Sequence, residues 1–296
     1  DRSRALPVND PDDRELVISC GCALMNLRLA AADQGLFPDT ELLPDGEDPN
    51  VLALMRFKGR VPFGEQVPSG EQAPFGEQVP SGEQAPSSEQ APSGEQAPSG
   101  EPMSSEEEDS APGDAHSEIE SAGWKGHGAP PLELAAFMES RRTVRKPFRE
   151  ETVAEDVIQA LQAAAGAEGA WLRPIKDEEG RKRLGSLVAQ GDEIQWADPK
   201  WRQELAKWMK PSHTGEGLTV SVLAAPLTKV VIRTLDMGNR IAGKDREMAE
   251  GAPLLVVLGT DTDGEEDWLA AGQALQRVLL RARLHGLQAA YLNQPT

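Results

Sequence analysis

Five cations fall within nine residues of an otherwise acidic chain: Arg141, Arg142, Arg145, Lys146 and Arg149. An arginine side chain offers a planar fork of N–H donors that matches phosphate geometry, and the Thr143 hydroxyl adds one more donor. Arg141-Arg142-Thr143-Val144-Arg145 therefore has the composition of a phosphate grip. A second reading stands beside it: a solvated cluster complementing the negative carbonyl end of a preceding helix. Residue types and spacing do not separate the two.

Other chemistry-bearing residues give less. Cys20 and Cys22 fall two apart in a stretch with helical spacing, so their side chains point about 200° away from each other. They are expected to be small buried residues, not a disulfide or a chelating pair. Four scattered histidines without Cys/His spacing predict no metal site. His213 and His285 have no partner pattern and are read as solvent or cap residues. Gly238-x-x-x-x-Gly243-Lys244-Asp245 opens like a phosphate loop, but Asp stands where Ser or Thr is needed, so that role is rejected. Trp196, Trp201 and Trp208 are read as packing residues. No catalytic acid, base or nucleophile pair emerges.

Several elements are available to position the cationic stretch. Residues 12–34 have helical spacing, with Asp12 or Asp13 as cap and Leu16, Cys20, Ala23, Leu24, Leu27 and Ala31 on one face. Gly35 sits where a helix ends in the left-handed conformation. A short helix over 131–140 leads into the cations. Thr152-Val153-Ala154-Glu155 is a capping box for a helix reaching about Ala165. A strand is expected over 170–175, helices over 178–195 and 199–209, and an apolar strand over 254–260. A long helix over 266–285 closes at Gly286, followed by a strand over 287–292.

Between these elements lies a different kind of sequence. Residues 61–102 are seven hexapeptides, variants of Val-Pro-Phe-Gly-Glu-Gln, followed by the acidic run Glu106-Glu107-Glu108-Asp109. A proline in every repeat blocks helix, and the apolar content is too low to offset the entropy of ordering. Residues 61–128 are read as a disordered insert, either a binding tail or an expanded repeat in a tolerant surface loop. Residues 61–120 hold fourteen acidic residues and no Lys or Arg, so they carry −14 of the net −19. The remaining −5 is ordinary, and neither nucleic acid nor membrane is expected as a partner. No run of eighteen apolar residues and no opening signal peptide are read, so the expected location is cytoplasmic. Both ends read like the middle of a longer chain.

An internal repeat is visible. Gly21 to Leu36 aligns without gaps on Gly272 to Leu287, with seven of sixteen positions identical: Gly21/Gly272, Ala23/Ala274, Leu24/Leu275, Leu29/Leu280, Ala31/Ala282, Gly35/Gly286 and Leu36/Leu287. Two amphipathic helices share Leu and Ala by composition, but rarely both glycines at one distance. The alignment predicts two related halves packed as an internal pseudo-dimer, with the chain monomeric.

Ser140-Arg-Arg-Thr-Val-Arg-Lys-Pro-Phe148 resembles the phosphate-binding signature of the nitroreductase family, Arg-Arg-Ser-x-Arg-x-Phe. The stretches 1–11, 14–24, 198–208, 267–277 and 286–295 resemble, more narrowly, its Acg-type FMN-binding oxidoreductase branch. The resemblance implies an α+β nitroreductase-like fold: two fused related halves with a central sheet flanked by helices, interrupted by the insert. The halves would be 1–60 and 129–296. It implies FMN as cofactor, with Arg141, Arg142 and Thr143 at the phosphate and ribityl chain. Arg145 would approach the N1/O2 edge, and the strand end Tyr291-Leu292-Asn293-Gln294 would pass the flavin ring. The family's Pro-Ser-x-x-Asn-x-Gln-Pro-Trp stretch and its C-terminal arginine segment have no counterpart in this sequence.

The implied activity is NAD(P)H-driven reduction of nitro compounds or quinones, the small-molecule electron acceptors, through flavin N5. An alternative is an FMN-binding storage or stress protein with little turnover. A third is an interaction module centred on the acidic repeat.

Overall fold

The long helix α1 (Arg14–Asp33) ends as its sequence requires. Gly35 adopts φ 71°, Gly35 N–H donates to the Ala32 carbonyl at 2.9 Å, and Leu36 N–H donates to Ala31 at 2.8 Å. These two bonds satisfy carbonyls that the last turn leaves open. Its start differs from expectation. Asp13 is the cap residue but makes no side-chain cap bond; it sits left-handed at φ 58°, held by Arg2. The Asp10 carboxylate instead accepts Leu16 N–H at 2.9 Å. One of the four open N–H groups is therefore satisfied from three residues further upstream.

The computed structural model describes residues 2–36, 39–44, 48–57, 131–211, 218–220 and 225–294. The 61–128 insert lies outside the described residues. After α1 come β1 (Asp39–Leu42) and β2 (Ala53–Arg56), an antiparallel hairpin that no sequence signal had placed. A 3-10 helix, Leu132–Phe137, stands where the short helix over 131–140 was expected. Then follow α2 (Glu155–Gly166), β3 (Trp171–Ile175), α3 (Glu178–Ala197), α4 (Pro199–Trp208), β4 (Met209–Pro211), β5 (Leu218–Val220), α5 (Ala225–Thr234), α6 (Gly238–Glu250), β6 (Leu255–Gly259) and α7 (Glu265–Leu284).

Local chemistry explains two of these starts. Asp177 caps α3, accepting Gly180 N–H at 2.6 Å, and Asp198 caps α4, accepting Lys200 N–H at 2.7 Å with Pro199 in the first turn. The capping box at Thr152–Glu155 does not form. The cap position is Ala154, without a side-chain bond, and Glu155 is drawn to Lys176 Nζ at 2.9 Å. The rejected phosphate loop at 238–245 lies within helix α6.

The class is α+β. Among the described residues the strands form three separate pairs, β1–β2, β3–β6 and β4–β5, not one broad central sheet. The strand expected over 287–292 is a single bridge, Thr143 to Ala289 in parallel. A backbone bond from Val144 N–H to the Ala289 carbonyl at 2.9 Å accompanies it. β3 and β6 run antiparallel from Trp171 opposite Gly259 to Ile175 opposite Leu255. Their inner side chains Leu172, Val256 and Leu258 pack with Leu161, Ala164 and Ala165 of α2 and Val278 and Ala282 of α7.

At the centre α1 crosses α7. A Cβ added to Gly21 would strike the Leu269 carbonyl and the Gly272 Cα; one added to Gly272 would strike the Ile18 carbonyl and the Gly21 Cα. Under the alignment 18 matches 269 and 21 matches 272, so each contact is the other's counterpart. The helix ends match too: Gly286 has φ 74°, Gly286 N–H donates to Arg283 at 3.0 Å and Leu287 N–H to Ala282 at 2.9 Å.

This crossing also corrects the buried face of α1. Val17, Gly21, Leu24, Met25, Arg28, Leu29, Ala31 and Ala32 are buried, whereas Ala23 is exposed and Leu27 is 50% exposed. The helix is apolar nearly all round, and the glycine needed for close approach selects the stripe that turns inward. By length and composition α1 is the one helix among the described residues apolar enough to cross a membrane. Here it packs on α7 and buries a charge. Arg28 Nη1 contacts Glu168 Oε2 at 2.6 Å and Gln273 Oε1 at 2.7 Å, and Arg277 Nη1 contacts Glu168 Oε1 at 2.6 Å. Glu168 and Gln273 are wholly buried. One carboxylate thus holds two guanidinium groups from the two crossing helices, the arrangement that makes a buried charge tolerable.

Candidate functional site

The cationic segment leaves the 3-10 helix through Arg141, whose N–H donates to the Phe137 carbonyl at 3.0 Å. Arg142 folds back on that helix end: its Nη1 reaches the Glu139 carbonyl and, at 2.9 Å, the Arg141 carbonyl. This is the helix-end reading of the cluster realised for one of its members. Arg142, Thr143, Arg145 and Lys146 are exposed, and Arg141 is half-buried. The Arg141 Nε is fully covered with no partner, a donor that the fold does not use.

The bridge from Thr143 to Ala289 sets the segment beside the C-terminal residues. Thr143 hydrogen-bonds the hydroxyl of Tyr291, and the Arg141 charge acts on Tyr291 and on Cys22. Burial raises the Tyr291 hydroxyl above its usual range, against the pull of Arg141 and Thr143, so it stays a neutral donor at physiological pH. Cys22 is pushed up to about 11, mainly by burial, and its Sγ donates to the Gly272 carbonyl at 3.1 Å. A thiol so held is not a nucleophile. Neither cysteine is fully buried, and both are free.

Of the remaining nominated residues, Leu292 is half-buried and Asn293 is exposed. The Asn293 side chain bonds Glu15, whose carboxyl is raised by burial and by Asp10. Arg145 acts on Asp245 of α6. The structure therefore groups Arg141 and Thr143 with Tyr291, sends Arg145 toward Asp245, turns Arg142 to the backbone, and continues from Tyr291 into Leu292 and Asn293.

Sequence reasoning missed Cys22, Glu15, Asp192 and Asp245 as neighbours of this region. No local pattern marks them, because they arrive from three different helices: Glu15 and Cys22 from α1, Asp192 from α3 and Asp245 from α6. The two stretches 1–11 and 198–208, read separately, also meet. Glu204 of α4 accepts Val8 N–H at 3.2 Å and Asn9 N–H at 2.9 Å, and Trp201 Nε1 donates to Asn9 Oδ1 at 2.7 Å. Trp196 is buried and stands edge-on to Trp201 at 5.4 Å, over Ala206 and Ile232. Among the described residues no group of three or more His, Cys, Asp or Glu is placed to hold a metal ion.

No family model matches the chain. It is similar to two proteins of Mycobacterium tuberculosis: "Uncharacterized protein MT3212" of strain CDC 1551 / Oshkosh and "Uncharacterized protein Rv3127" of strain ATCC 25618 / H37Rv. Each is 26% identical over 152 residues, which cover 50% of this chain and 43% of the relative. The match therefore spans less than half of either relative, and neither name carries an activity.

Proposed function

We propose that this chain belongs to an FMN-binding oxidoreductase of the nitroreductase type, taking electrons from NAD(P)H and passing them to a nitro compound or quinone. The observation that carries the reading is the bridge joining Thr143 to Ala289. It sets the Arg-Arg-Thr-x-Arg segment beside Ala289, two residues before the stretch 291–294 that the family resemblance assigns to the flavin, and Thr143 reaches Tyr291 of that stretch.

The residues fit the phosphate end of such a cofactor. Arg141 carries a covered, unpartnered Nε, and the cations Arg142, Arg145 and Lys146 surround it in sequence on an exposed segment. Arg141, Arg142 and Thr143 would hold the phosphate and ribityl chain, and Arg145 would stabilise negative charge on the reduced ring. Leu292 and Asn293 would border the ring. When bound, FMN supplies hydride acceptance and donation, so no side-chain acid or base is required of the protein. The roles left to this chain are binding, orientation and charge compensation. Within the same reading, the reciprocal contact of Gly21 and Gly272 is the axis of an internal pseudo-dimer.

Flavin titration of the chain, followed by absorbance and fluorescence, tests the site. Arg141→Ala is expected to weaken FMN binding by about 1.5–3 kcal/mol, the range for a hydrogen bond to a charged group. Unchanged affinity would remove the site assignment. NAD(P)H oxidation by the flavin-loaded protein with a nitroaromatic or quinone then tests the activity. Tight binding without turnover would leave flavin storage in its place.

A further inference from the structure

Two acceptor oxygens near the end of the described chain have no donor. Asp192 of α3 is 3% exposed, and its Oδ2 is covered and unpartnered. The Gln294 Oε1 is covered and unpartnered as well. The other atom of each group is bonded: Gln294 Nε2 donates to Asp192 Oδ1 at 3.3 Å and to Asp245 Oδ2 at 2.9 Å. The two orphan oxygens are thus the second atoms of planar groups already joined through their first. Turning the amide over offers no remedy, because Oε1 would then face two carboxylates and both existing bonds would be lost.

A proton would serve both orphans at once. Placed on Asp192 Oδ2, it would convert an acceptor into a donor for Gln294 Oε1, the second bond of an acid–amide pair whose first is the one from Gln294 Nε2 to Asp192 Oδ1. The backbone is already seated for this. A Cβ on Gly191, the residue before Asp192, would run into the Gln294 carbonyl, so the Gln294 backbone lies directly on α3. The charged group facing Asp192 is Asp245 of α6, itself under the influence of Lys244 on α6 and Arg145 of the cationic segment.

We infer that Asp192 and Gln294 form a proton-operated latch, pinning the segment Tyr291–Gln294 to α3 when Asp192 is protonated and loosening it when Asp192 ionises. Burial, and then the Asp245 charge, push the Asp192 carboxyl up to about 6, against the bond from Gln294. Because the folded-state value lies above the ordinary 3.8, the latch stabilises the fold most below that ordinary value. That contribution is lost as pH rises through about 6. The latch requires no cofactor, so it stands or falls separately from the flavin reading.

The chain contains one tyrosine, Tyr291, three residues from the latch, which gives a single-site probe. Ring-labelled tyrosine in the full chain, followed by NMR from pH 5 to 8, is expected to shift with a midpoint near 6. Asp192→Asn supplies one donor and one acceptor without charge and should hold the low-pH signal throughout. Asp245→Asn should lower the midpoint. A wild-type signal that ignores pH, or an Asp192→Asn protein that titrates like wild type, overturns the latch. If Asp192→Asn fails to fold, amide exchange of wild type over 289–294 decides. After correction for intrinsic rates, protection should fall above pH 6; equal protection on both sides overturns the proposal.

Discussion

The crossing of α1 and α7 and the segment 141–145 are built on opposite terms. At the crossing two glycines let backbones touch, and the wholly buried Glu168 pairs with Arg28 and with the partly buried Arg277. Along 141–145 a single backbone bond ties the segment to the C-terminal stretch among the described residues, and Arg141 keeps an unused donor. Cations are thus held by a buried carboxylate in one place and lie mostly exposed in the other. Arginine count alone does not distinguish these uses; burial and partner do.

The sharpest way to break the contrast is to remove the central carboxylate. Glu168→Ala leaves two guanidinium groups buried without an anion and is expected to cost about 3–5 kcal/mol, read as a large drop in the denaturant midpoint. A loss under 1 kcal/mol would mean that the cluster is hydrated. Gly272→Ala comes next. Its Cβ meets the Ile18 carbonyl and the Gly21 Cα, backbone atoms that cannot move aside, so a loss of about 1–3 kcal/mol is expected. Gly243→Ala, where a Cβ meets nothing, is the control and should be neutral or slightly stabilising.

Smaller effects sharpen the picture. Asp10→Ala removes the N–H acceptor at the start of α1 and should cost about 1 kcal/mol, whereas Asp13→Ala should not act as a cap mutation. Arg141→Ala should leave stability within about 0.5 kcal/mol while weakening flavin affinity; a protein that unfolds instead would place Arg141 with the structural arginines. At the bottom of the scale, Glu178→Gln breaks an exposed pair with Lys182 and should leave the melting temperature unchanged.

Much of the helical framework was legible. Gly35 and Gly286 are punctuation read from single residues, and each acts through bonds made within a few positions; the caps Asp177 and Asp198 act as locally but were not singled out. The strands 171–175 and 255–259 were legible for the same reason of local pattern. What failed depended on distant partners. The inward face of α1 follows from where α7 crosses, the Thr152–Glu155 box lost to Lys176, and the last strand shrank to one bridge. For the site, the cationic segment stood out by composition alone. Its neighbours Cys22, Asp192 and Asp245 did not, since they are carried in by α1, α3 and α6.

The sequence by itself determined where several helices run and stop, which stretch concentrates cations, and that two helices share a glycine-anchored pattern. These depend on φ preferences, capping bonds and charge, all decided within about a turn of chain. The helices α5 and α6 and the start of α2 were not read from the sequence. Only the tertiary structure decided which arginines are buried and which stay open, and that a carboxylate on α3 would share an amide with a carboxylate on α6. Burial and charge pairing are properties of residues far apart in the chain, and the linear order holds no record of the distance between them.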